Sequence, residues 1–76
     1  DETARLVRLL DSSDGKDRVK AAWSLGRVGN ARENAKRALL APVDDLLPRV
    51  RRGAAWSLLQ LGYRGMPYWF MAFAEA

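Results

Sequence analysis

Two groups of side chains in this sequence have types and spacings suited to chemistry. Carboxylates gather as Asp11, Asp14 and Asp17 and again as Asp44-Asp45, while cations gather as Arg18, Lys20 and Arg27 and as Arg49, Arg51 and Arg52. Paired carboxylates could serve a hydrolase as general acid and base. The basic clusters would instead attract phosphates or acidic proteins. With no Cys and no His, the chain lacks thiolate and imidazole ligands, disulfides and the bases of Ser/His/Asp or Cys/His catalysis. The carboxylates fall in turns and at helix starts, where capping accounts for them. A chain of 76 residues, folded as a thin two-layer stack, also offers no deep cleft for a substrate. The expectation is therefore a non-catalytic protein with no cofactor and no metal.

Thirteen Lys and Arg oppose nine Asp and Glu, for a net charge of +4. That balance favours acidic proteins or nucleic acid as partners, although amphipathic helices also need charged outer faces. The length admits one domain, near the lower limit for a self-sufficient core. The absence of Cys fits a reducing, cytoplasmic setting. The longest uncharged stretch, Gly65 to Ala74, is about half of what crosses a bilayer, so no membrane partner is expected. The chain opens on Asp1 with no charged segment leading into an apolar run, and a piece of a longer protein is expected.

The elements that would position these side chains come from an internal repeat. Ala21-Ala22-Trp23-Ser24-Leu25 recurs as Ala54-Ala55-Trp56-Ser57-Leu58, 33 residues later. At that offset Leu6 meets Leu39, Asp11 meets Asp44, Arg18 meets Arg51 and Gly29 meets Gly62, giving ten identities over 43 pairs. Composition alone would give roughly four, so the duplication is real. Each copy reads as helix, turn, helix. Leu6, Val7, Leu9 and Leu10 stripe a first helix, and a second runs from about Lys16 to Val28, closed by Gly29 at a left-handed position. In copy two, Asn30 is expected to cap a helix that stops or kinks near Ala41, ahead of Pro42. Pro48 then opens a helix closed by Gly62. The second helix is apolar over most of its circumference, with Lys20, Ser24 and Arg27 as its polar stripe. It must be covered from several directions, as an inner helix in a stack would be. Trp23 and Trp56 are read as core anchors beside the paired alanines.

The pattern Arg18, Ala21-Ala22, Leu25-Gly26, Gly29, and again Val50-Arg51, Ala54-Ala55, Leu58, Gly62, resembles the HEAT repeat, especially its short bacterial and archaeal form, the phycocyanobilin-lyase type. The likeness covers about residues 4 to 62 and departs at Asp17, where that pattern has Val, and at Leu59, where it has Gly. The tetratricopeptide repeat is the nearest competitor, but its Trp lies in the first helix of each pair. The resemblance implies an all-α fold, an α-solenoid of antiparallel helix pairs, with repeat one at 1–29, repeat two at 30–62 and a single terminal helix at 63–76, about five helices in all. It also implies structural roles for Arg18 and Arg51, each pairing with a turn carboxylate among Asp11, Asp14, Asp44 and Asp45.

In such stacks the ligand lies along the second helices. The candidate binding stripe is therefore Lys16, Lys20, Ser24 and Arg27, continued by Arg49, Arg52, Gly53, Ser57 and Gln60. A protein partner, acidic in character, is the first expectation, and nucleic acid bound through the same Arg/Lys stripe is the alternative. The last segment, with Tyr68, Trp69, Phe70 and Phe73, is apolar nearly all round. It is a candidate cap, truncation edge, or patch for a partner or a second copy.

Overall fold

The computed structural model describes residues 1–65, and among these the chain is all-helical, with no strands. Four α-helices form: α1 (Glu2–Leu9), α2 (Gly15–Ser24), α3 (Arg32–Leu39) and α4 (Pro48–Gln60). Short 3-10 turns follow α2 at Leu25–Arg27 and α3 at Pro42–Asp44. The expected fifth helix, with Tyr68, Trp69, Phe70 and Phe73, lies outside the described residues.

Local chemistry explains most of the helix ends. Asp1 caps α1 by accepting from the Thr3 N–H at 3.2 Å, and Asp14 caps α2 by accepting from the Lys16 N–H at 3.0 Å. Both satisfy donors that a helix start leaves without intrahelical partners. Pro48 occupies the first turn of α4, where a missing N–H is harmless. Gly62, at φ 84°, ends α4: the Tyr63 N–H bonds the Leu58 carbonyl at 2.9 Å and the Gly62 N–H bonds the Leu59 carbonyl at 3.1 Å. These are the two bonds of a Schellman motif.

Two boundaries differ from the sequence expectation. Gly29 is not left-handed; α2 tightens instead into its 3-10 turn, and Val28 leaves it in extended conformation at ψ 145°. Asn30 does not cap α3. The buried Thr3 hydroxyl requires acceptors and donates to the Asn30 side-chain oxygen at 2.9 Å and to its carbonyl at 3.2 Å, so Asn30 ties α1 to this turn. Ala31 takes the capping position at φ 50°, without a side-chain cap. α3 stops at Leu39, close to the expected end near Ala41, where Pro42 has no N–H for the Ala38 carbonyl and its ring crowds the preceding turn. The backbone there changes to the shorter bonds Asp44 N–H to Ala41 and Asp45 N–H to Pro42.

The core is built from Leu6, Leu10, Ala21, Ala22, Leu25, Val28, Ala35, Leu39, Val50, Ala54, Leu58 and Leu61. α2 packs most extensively on α4, α1 lies on α2, α3 lies on α4, and α1 also touches α3. Small residues let α2 and α4 approach closely. A methyl group at Gly26 would come within 2.7 Å of the Ser57 hydroxyl, 2.8 Å of the Trp56 ring and 2.9 Å of the Ser57 Cα, and one at Gly53 would meet the Trp23 ring at 2.8 Å. The fully buried Ser57 hydroxyl donates across this seam to the Ala22 carbonyl.

Gly26→Ala should therefore cost about 1–3 kcal/mol, a Tm loss on the order of 5–15 °C. At Gly29 an added methyl meets nothing within 4 Å and φ is not positive, so Gly29→Ala should be neutral or stabilise by about 0.4–1 kcal/mol. Thermal melts of the two variants followed by circular dichroism check the contrast; equal Tm values would mean that the helices do not meet at Gly26.

Candidate functional site

The two copies of the repeat use one arginine in the same way. Arg18 Nη1 donates to the carbonyls of Ser12 at 2.9 Å and Ser13 at 3.3 Å. Arg51 Nη1 donates to those of Asp45 at 2.9 Å and Leu46 at 3.3 Å. In both copies the guanidinium reaches back to the turn that introduces its own helix. Arg18 also crosses between copies, with Nε 2.9 Å from Asp45 Oδ2 and Nη2 3.4 Å from Oδ1. This fork is held at side-chain exposures of 20% and 14%, low enough for its charges to be incompletely screened.

Asp45 and Ser12 occupy equivalent positions. The Ser12 hydroxyl accepts from the Asp14 N–H at 3.1 Å, and Asp45 Oδ1 accepts from the Leu47 N–H at 2.9 Å. Ser12 also donates to Asp17 at 2.9 Å, which gives the Asp17 departure a place in the turn. Burial on its own would push the Asp45 carboxyl upward, but the Leu47 N–H, the Arg18 guanidinium and the charge of Arg51 together hold it below the ordinary Asp value. These arginines and turn carboxylates are therefore bound up in holding the turns.

Trp23 and Trp56 are only partly buried, which corrects their reading as core anchors. Their rings lie 5.3 Å apart at 41°, and the Arg27 guanidinium sits 5.7 Å from the Trp56 ring centroid. The core proper is aliphatic, and the aromatic pair lies beside it with a cation over one face.

The candidate stripe is broken. Lys16, Lys20, Arg27, Arg49, Arg52 and Gln60 are exposed and Ser24 is partly so, but Ser57 and Gly53 are buried. The reason lies in packing. Lys20 and Ser24 are equivalent to Gly53 and Ser57, yet on α4 that side faces α2. The exposed cations regroup instead around two grooves. One, of about 560 Å³, is lined by Lys16, Val19 and Lys20 of α2 and by Leu47, Pro48 and Arg49 at the start of α4, with Asp14 and Gly15 at its edge. The other, of about 430 Å³, brings Lys20, Ser24 and Arg27 against Glu2, Arg5 and Leu6 of α1.

Among the described residues, Lys16, Lys20 and Arg49 form no ion pair, whereas Arg5 pairs with Glu2 at 2.6 Å, Lys36 with Glu33 at 2.8 Å and Arg18 with Asp45. Two features escape the sequence reading. Arg32 ties the turn after α2 to the end of α4, donating to the Val28 carbonyl at 3.1 Å and the Gln60 carbonyl at 3.4 Å. Leu46 and Leu47 are 91% and 39% exposed; the available signal was that they replace Ser13 and Asp14 of the first copy. Among the described residues no cluster of three or more potential metal ligands forms, and no helix is long and apolar enough to cross a membrane. No known protein family, curated protein or solved structure matches the chain.

The depressed Asp45 carboxyl contributes stability above the unfolded-state Asp value, and this contribution is lost as pH falls through the lower folded-state value. Asp45→Asn keeps an oxygen for the Leu47 N–H but removes the charge facing Arg18. It should cost about 1–2 kcal/mol at neutral pH, with the gap to wild type closing below about pH 4. Urea melts across that range provide the check; a gap independent of pH would show that the carboxylate's charge adds nothing.

Proposed function

We propose that this chain is a non-catalytic binding scaffold of the HEAT-like kind, an α-solenoid in which α1 with α2 and α3 with α4 are successive antiparallel pairs and α2 and α4 are the inner helices. Support comes from the same arginine-to-turn bonds at a 33-residue spacing, from the Arg18–Asp45 bridge between copies, and from the Ala-Ala-Trp-Ser-Leu segment seated in both inner helices. Stacked repeats of this type work by displaying a continuous surface.

The partner is an acidic protein. The observation that carries this reading is the set Lys16, Lys20 and Arg49, exposed and without an ion pair among the described residues. Folding places these three cations around one groove beside the single carboxylate of Asp14, which leaves the set net positive. An acidic surface would complete them and would be steered toward them at low salt.

Nucleic acid is the second reading, favoured by one observation: partly exposed Trp23 and Trp56 lie beside Arg27, and aromatic rings next to cations make stacking platforms for bases. Against it, Arg18 and Arg51 are engaged with turn carbonyls and carboxylate, which shrinks the set available to phosphates.

A titration followed by tryptophan fluorescence and by a label on the ligand separates these readings. Polyglutamate should bind saturably at about 50 mM salt, weaken as salt rises, and weaken again in Lys20→Glu. Duplex or single-stranded DNA bound more tightly than polyglutamate at equal charge would give the surface to nucleic acid. Absence of binding to all three would remove the basic surface as an interaction site.

A further inference from the structure

The groove between α2 and the start of α4 differs from the rest of the basic surface because part of its lining is apolar. Val19, Leu47 and Pro48 line it together with Lys16, Lys20, Arg49 and Asp14, in a volume of about 560 Å³. Clefts that hold compact ligands span about 300–1,000 Å³. Leu47 is 39% exposed in this lining, at a position where the first copy carries the polar cap Asp14. Part of the Leu47 side chain packs beside Gly15, and a ligand that covers the exposed remainder gains from burying it.

We infer that this groove docks a short acidic peptide segment carrying one large apolar side chain, which seats on Val19, Leu47 and Pro48 while flanking carboxylates meet Lys16, Lys20 and Arg49. The inference rests on the scaffold reading and deepens it by naming the surface and the chemistry of its occupant. Charge complementarity selects an acidic ligand, since the three cations lack described ion-pair partners. The apolar lining selects a peptide over a nucleic acid: Val19, Leu47 and Pro48 offer surface to a large apolar side chain, whereas a phosphodiester backbone carries no such group to cover them. Asp14, whose Oδ1 accepts from the Lys16 N–H, also lines the groove.

The test uses fluorescein-labelled, terminally blocked Glu-Glu-Phe-Glu-Glu and Glu-Glu-Ala-Glu-Glu in anisotropy titrations at about 50 mM salt. The Phe peptide should bind about five- to tenfold more tightly than the Ala peptide. Leu47→Ala should bring that preference close to one. Lys16→Glu combined with Arg49→Glu, which changes only exposed side chains, should weaken both peptides by about tenfold or more. Equal binding of the two peptides to wild type, or undiminished binding to the double variant, overturns the groove assignment. If polyglutamate still binds in that case, the scaffold reading stands with its ligand surface elsewhere; if polyglutamate and DNA also fail, both readings fall. A single-stranded oligonucleotide that outcompetes the Phe peptide on wild type, but not on the double variant, overturns the peptide in favour of nucleic acid.

Discussion

Close contact of α2 and its 3-10 turn with α4 requires the absence of side-chain bulk at two positions, one on each side of the seam. Gly26, in the 3-10 turn, lies against Ser57 and Trp56, while Gly53, on α4, lies against Trp23. Between them Ala21, Ala22, Ala54 and Ala55 are fully buried. Backbones this near gain dispersion contacts over their whole length and bring the Ser57 hydroxyl onto the Ala22 carbonyl. The same approach forces the two indoles together at the edge of the seam, and it sets the distance at which Arg18 spans from one copy to Asp45 of the other. Widening the seam by one methyl would disturb the aliphatic core, the aromatic pair and the ionic bridge at once.

That constraint also explains why a repeated sequence does not make a repeated surface. On α2 the positions of Lys20 and Ser24 face outward; on α4 the equivalent Gly53 and Ser57 are covered by α2. The equivalent positions therefore have two environments, exposed on α2 and covered on α4, and the residues differ accordingly. Lys20 keeps a long charged chain in water. Gly53 removes the obstacle to Trp23.

Much of the architecture was legible in the chain. The repeated Ala-Ala-Trp-Ser-Leu segment marks two helices buried on more than one side, Pro48 and Gly62 bracket α4, and the HEAT-like resemblance implied a bridge from Arg18 to one of four turn aspartates, of which Asp45 is the partner. Spacing along one helix gives the angle of a side chain, but not which neighbour occupies that direction, so Ser57 and Gly53 were misplaced on the binding stripe. Helix ends were lost for a related reason. Asn30 has the chemistry of a cap, but the buried Thr3 hydroxyl competes for it. Gly29 has the freedom to turn left-handed, but the chain leaves α2 through a 3-10 turn before reaching it. At Asn30 a long-range contact outweighed a local preference of about 1 kcal/mol, while at Gly29 a local 3-10 turn did so.

The turns divide structural from available charge. In the first copy Ser12, Asp14 and Asp17 satisfy one another and the α2 start through local hydrogen bonds. In the second, Asp45 is drawn toward Arg18, and Leu46, Leu47 and Pro48 stand where Ser13, Asp14 and Gly15 were. α4 consequently begins without a side-chain cap, its first turn held by the fixed φ of Pro48. The divergence therefore exchanges a polar, self-satisfied turn for apolar surface, and does so beside Lys16, Lys20 and Arg49. Among the described residues the core cluster includes neither leucine: Leu46 touches solvent over nearly all its area, and Leu47, 39% exposed, packs partly beside Gly15 without capping the helix. Their exposed area beside Lys16, Lys20 and Arg49 is surface open to a ligand, whereas Arg18 and Arg51, a few positions away, are taken up in holding the turns.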